Sequence, residues 1–186
     1  MSTTWNGLLI AGIVLVGGGC TYGVRGGVAG FAHTAEPIAI DGDLVAGVGL
    51  GDDGYAYTGF HMTAEIALGY DAAGKEVHFA ALTGIEGFRQ PTSEDEPLGF
   101  RAGAAGGIEG SRPNGTGSAL ILATAGGRYR LGDSGNTVTF VDFGGALGGG
   151  VGLDGKDGAQ GESGFVGMLT LGVGVLHVNH WELSFR

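Results

Sequence analysis

The sequence predicts an all-β protein: an antiparallel up-and-down β-barrel of about eight strands, preceded by an apolar amino-terminal segment. Three observations carry that expectation: a long run of strict alternation, turn residues recurring between such runs, and a composition poor in helix formers. From Ala56 to Tyr70, one face reads Ala56, Thr58, Phe60, Met62, Ala64, Ile66, Leu68 and Tyr70. Tyr57, Gly59, His61, Thr63, Glu65, Ala67 and Gly69 occupy the other. A period of two held this long exceeds the ~5–6 residues of an ordinary strand, which favours a barrel wall over a small sandwich.

Composition sets the bounds. At 186 residues the chain suits one domain with a full core. Its 43 glycines follow no triplet period and its prolines number only 4, which excludes collagen and rigid linkers and weakens helices throughout. Acidic residues outnumber basic ones 19 to 9, for a net charge of −10 with no basic stripe, so nucleic acid is excluded as a partner. The single Cys20 excludes an internal disulfide and a multi-cysteine metal site.

The elements follow in order. Residues 1–19 form a signal-peptide-like segment, with the uncharged run Gly7 to Val16 closed by Gly17, Gly18 and Gly19, too short for the ~20 residues of a spanning helix. Residues 20–186 are read as a single barrel domain. A cysteine directly after that run resembles the signal of bacterial lipoproteins, and the resemblance implies lipidation of Cys20 and attachment to membrane lipid. Gly17 departs from the leucine usual in that family, and no basic residue precedes the run. A plain export signal, or a buried apolar segment with an inert cysteine, are the alternatives.

The first strand is expected over Tyr22–Phe31, with Arg25 opposite Tyr22, Val24 and Val28, and the second over Leu44–Leu50. Asp52-Asp53-Gly54 turns into the third, and Asp71 to Lys75 closes a hairpin onto the fourth, Glu76–Phe88. The fifth begins at Leu98 and alternates to Glu109, after the polar segment Gln90 to Pro97. Turns at Ser111 to Gly115 and Gly132 to Asn136 bracket the sixth, Gly117–Leu131. The seventh spans Thr137–Leu153, and the last apolar segment runs from Gly164 to Arg186. Hairpin after hairpin without a helical pattern is the layout of a meander.

In several strands the large apolar side chains share one face, while the other is mostly glycine or alanine with isolated charges. A soluble barrel would carry many charges on its outer face; a membrane barrel turns the bulky face to lipid and keeps small residues and paired charges in the lumen. The second pattern fits better. The final alternation, Val173 to Phe185, resembles the last strand of outer-membrane barrel proteins, although Arg186 follows Phe185 and His177 and Asn179 interrupt the apolar face. That resemblance implies the bacterial cell envelope as the location.

Little chemistry is legible. Gly150 to Lys156 has the glycine spacing of a nucleotide loop, but no helix follows and Asp157 replaces the hydroxyl residue such a loop needs. His61 and Glu65 share a face, and the hairpin after Tyr70 sets Glu86 across from His61, a histidine and carboxylate pairing of the kind used in acid–base chemistry. No nucleophile is evident beside them, so His61, Glu65, Glu86, Arg101 and Glu109 are read as a polar cluster in the lumen. His177 and His180, with Glu182 nearby, fall on opposite faces of a strand, and Asp41 with Asp43, Asp52 with Asp53, and Asp154 with Asp157 need no calcium to explain them in turns. No metal and no cofactor is expected.

Three functions fit these features. The first is a non-enzymatic cell-envelope protein, a barrel in or at the outer membrane with a structural role, or an adhesive one through Glu94, Asp95 and Glu96. The second is a soluble exported barrel, similar to lipocalins, binding a small apolar ligand. The third is an outer-membrane hydrolase or acyltransferase using His61.

Overall fold

The computed structural model describes residues 19–34, 38–51, 58–71, 76–90, 95–112, 117–153 and 163–179. Eight strands run through them: β1 (Gly19–His33), β2 (Ala39–Gly51), β3 (Thr58–Asp71), β4 (Val77–Arg89), β5 (Leu98–Arg112), β6 (Gly117–Ser134), β7 (Thr137–Leu153) and β8 (Gly164–Asn179). Each pairs antiparallel with its sequence neighbours, and β1 pairs with β8, so the sheet closes into a barrel without a free edge. The expected all-β up-and-down barrel is the observed one.

Alternation decides which way each side chain points. In β1, Tyr22, Val24 and Val28 stand on the outer surface, while Thr21, Arg25, Ala29 and Phe31 are buried inside. The same period of two runs through the long third strand, where Phe60, Met62, Ile66 and Leu68 point out and His61 and Ala67 point in.

The second strand starts earlier than the sequence suggested, at Ala39 instead of Leu44. Asp41 and Asp43 therefore lie in the wall and face the lumen, where His78 and Arg25 hold them, and not in a loop open to calcium. Partners supplied by other strands override the turn preference of aspartate. Residues 1–18 of the signal-like segment 1–19, Glu94 and residues 180–186 fall outside the described residues, while Gly19 is the first residue of β1.

Because β1 begins beside the end of β8, with Cys20 opposite Asn179, both described chain ends lie at one end of the barrel, the terminal end. The connections β2–β3, β4–β5 and β6–β7 lie there too. The last is a two-residue turn, Gly135-Asn136, in which Gly135 takes φ 58°, a conformation that favours glycine. A register shift between Arg130 and Gly132 marks a bulge just before it.

The interior is layered along the barrel axis. Phe140, Leu176 and Val178 fill the terminal end. A belt of charged residues follows, then an apolar layer that includes Ala29, Leu82, Leu122 and Ala146, and beyond it a second polar group at the distal end.

Candidate functional site

The charged belt converges on Asp142 of β7, whose side chain is fully buried. Three arginines from three different strands donate to its carboxylate. Arg101 reaches it through Nη2 at 2.9 Å and Nε at 3.1 Å, Arg128 through Nε at 3.0 Å, and Arg25 through Nη1. Arg25 also donates to Asp43 at 3.2 Å, and Arg128 to Glu86 at 2.7 Å. Arg101 faces the other Glu86 oxygen at 3.7 Å. The Arg128 guanidinium also lies 5.0 Å from the centre of the Phe140 ring, within cation–π range. Charges withdrawn from water this far are tolerated when paired and hydrogen-bonded, and here one carboxylate serves as the hub for three cations.

Glycine makes the room for this hub. A methyl group on Gly144 would stand 2.8 Å from Arg101 Nη2 and 2.6 Å from the Ala125 carbonyl oxygen. Gly144→Ala is therefore expected to push Arg101 off Asp142 and to lower unfolding stability by about 1–3 kcal/mol, measured by urea titration of the folded barrel.

His61 lies at the edge of the belt. Its Nε2 is 2.7 Å from Thr21 Oγ1, and its Nδ1 is 3.6 Å from Glu86 Oε1. Hydroxyl, imidazole and carboxylate thus stand in the order of a nucleophile, base and orienting acid. Thr21 is nevertheless wholly buried and His61 nearly so, and Glu86 is engaged by arginines. Hydroxyl and imidazole are thus both closed off from solvent.

At the distal end, His78 Nδ1 is 2.5 Å from Asp41 Oδ2, while its Nε2 is 3.7 Å from Glu109. His33 stands 3.9 Å from the other Glu109 oxygen. The described residues contain no set of three or more ligands suited to a metal ion.

The structure therefore brings His61, Glu86 and Arg101 into direct contact distance in one cluster, with His61 directly opposite Glu86 in the β3–β4 register. Glu65 borders the same belt, lining a cavity shared with Arg25 and Glu86. Its Oε1 has no hydrogen-bond partner among the described residues. Glu109 lies apart, in the distal group. Cys20 is a free, half-buried cysteine at the terminal rim, on the strand face that carries Tyr22 and Val24 outward.

Sequence reasoning missed the hub itself. Asp142 carried one usable signal: it is the lone charge of β7, on a face that is otherwise mostly glycine and alanine toward the distal end. The cavity between these groups amounts to only about 50 Å³. That is room for a few waters, not for a ligand of the ~300–1,000 Å³ class.

The outer surface has the opposite character. Large apolar side chains cover it from rim to rim, including Ile121 at 78% exposure and Leu169 at 75%. Along the closed wall, the exposed charged side chains among the described residues are Arg89 and Asp133, both at the terminal end.

Fold and interior together define the class: a small, closed, eight-stranded β-barrel with a filled polar lumen and an apolar exterior. No family model and no curated protein matches the chain. Among solved structures, the chain is similar to Neisserial surface protein A (NspA), with a TM-score of 0.51 and 11% identity over 85% of this chain and 96% of that one. It also aligns with Ail, the attachment invasion locus protein of Yersinia pestis, at a TM-score of 0.49 and 10% identity, covering 86% of this chain and 98% of that one. At 11% identity, the likeness to NspA speaks for the fold alone.

Proposed function

We infer that the protein is a non-enzymatic barrel of the bacterial outer membrane with a structural role in the cell envelope. One observation carries this reading: the apolar, almost uncharged outer face has the height of a bilayer core. On β8 the outward residues Phe165 and Val175 are ten positions apart and enclose Leu169, Leu171 and Val173. At ~3.3 Å per residue and a strand tilt of about 40–45°, that run rises about 25 Å, the height of the apolar band of such barrels. An exposed apolar surface of this extent would drive aggregation in water.

The filled lumen argues against the lipocalin-like alternative, because the cavity is too small for an apolar ligand. It also argues against a pore. Lipidation at Cys20 would place acyl chains on the outward face at the terminal rim, in the same leaflet as the start of β1. Mass spectrometry of the mature amino terminus tests that attachment.

An adhesive role through Asp95 and Glu96 requires the terminal end to face the cell exterior. Labelling of Asp95→Cys on intact cells with a membrane-impermeant maleimide, above that of the unsubstituted protein whose Cys20 lies at the same rim, reports which end is outside, and no added label leaves the structural role alone.

The protein is expected to need detergent for a monodisperse state and to migrate differently on gels before and after heating. Release from membranes by carbonate or salt, followed by stable monodispersity in plain buffer, would rule out a spanning barrel. His61→Ala is expected to leave lipid and ester hydrolysis at background; a substrate turned over by the wild type and not by this variant would restore the enzymatic reading.

A further inference from the structure

The wall across β2, β3 and β4 carries a depression of about 580 Å³. It forms where Ala46, Ala64 and Thr83 pair in one row across the three strands, lowering the surface beside Val48, Met62 and Ile85. Four residues along β4 from Ile85, about 13 Å toward the terminal end at ~3.3 Å per residue, stands Arg89. Its side chain is 50% exposed, and its backbone pairs with Thr58 on one side and Phe100 on the other. Gly87 lies between, with the Phe60 ring of β3 packed beside it, so an acyl chain reaching from the guanidinium to the depression would run along that ring.

We propose that this surface binds one anionic phospholipid, with an acyl chain in the depression and the headgroup phosphate on Arg89. The inference rests on the membrane-spanning reading and adds a specific lipid to it. A cation at the edge of an apolar band sits at headgroup depth, and a guanidinium fork matches a phosphate better than any uncharged side chain does. Glu96 lies 3.5 Å from Arg89, but both side chains are exposed, with Glu96 at 64%. Such a pair is weak and leaves Arg89 donors for a phosphate, while the Glu96 carboxylate works against an anion.

The test is native mass spectrometry of the detergent-purified barrel after mixing with equal amounts of phosphatidylglycerol and phosphatidylcholine. Wild-type protein is expected to retain one phosphatidylglycerol in preference, by about fivefold for a single basic contact. Arg89→Gln should abolish the preference, Glu96→Gln should strengthen it, and Ala64→Phe, which fills the depression, should reduce retention of either lipid. The heat-dependent gel shift verifies that each variant is folded. Equal retention of the two lipids by wild type, or retention unchanged in Arg89→Gln or Ala64→Phe, would overturn the site while leaving a spanning barrel intact. Monodispersity without detergent would instead remove the membrane reading, and the site with it.

Discussion

Asp142→Ala is expected to destabilise the barrel by about 3–5 kcal/mol, the largest loss of any single polar substitution in the lumen. The carboxylate accepts from Arg25, Arg101 and Arg128 and is inaccessible to water. Its removal leaves three guanidinium groups crowded together, with Asp43 and Glu86 as their remaining carboxylate partners. Asp142→Asn keeps the shape and loses the charge, so it separates packing from electrostatics. If urea unfolding of the alanine variant in detergent showed a change under 1 kcal/mol, the hub would have no energetic role of the kind described. The same titration on Asp43→Ala is expected to give a smaller loss, because that residue meets Arg25 alone among the arginines.

Leu169→Arg is the second large effect. Leu169 lies near the middle of the outward run of β8 and is 75% exposed. An arginine at bilayer mid-depth costs about 2–4 kcal/mol, whereas near the interface the cost falls to about 0–1 kcal/mol. Val175→Arg, closer to the terminal rim, is therefore the paired control. In a water-soluble barrel both substitutions would be close to neutral, since each replaces an exposed apolar side chain with a solvated charge. Unfolding measured in lipid vesicles gives the ordering, and equal small effects at the two positions would contradict a lipid-facing wall.

Much of this architecture was legible in the chain because strand parity is a local property. The alternation from Thr58 to Tyr70 assigned Phe60 and Met62 to one surface and His61 and Glu65 to the other, and the short connection after Asp71 set His61 opposite Glu86. Contacts across the lumen depend instead on strand tilt and stagger, which no single segment encodes. Asp142 and Arg25 are 117 positions apart, and nothing local in β7 marks Asp142 as a shared acceptor. The start of β2 was missed for a related reason. Asp41-Gly42-Asp43 has turn composition, and only the distant partners His78 and Arg25 make it part of the wall.

Seven of the eight strand pairings join sequence neighbours, and the eighth, β1 with β8, joins the two described ends. With Cys20 and Asn179 paired side by side, a short peptide linker could connect these ends without crossing the barrel. The chain could then be reopened in another connection, converting the β1–β8 pair into an ordinary hairpin and making a different seam the last to zip. Circularly permuted forms opened between β4 and β5 should therefore reach the same closed structure. Their folding rates, compared with the original order, would show how much of the barrier belongs to joining the first strand to the last.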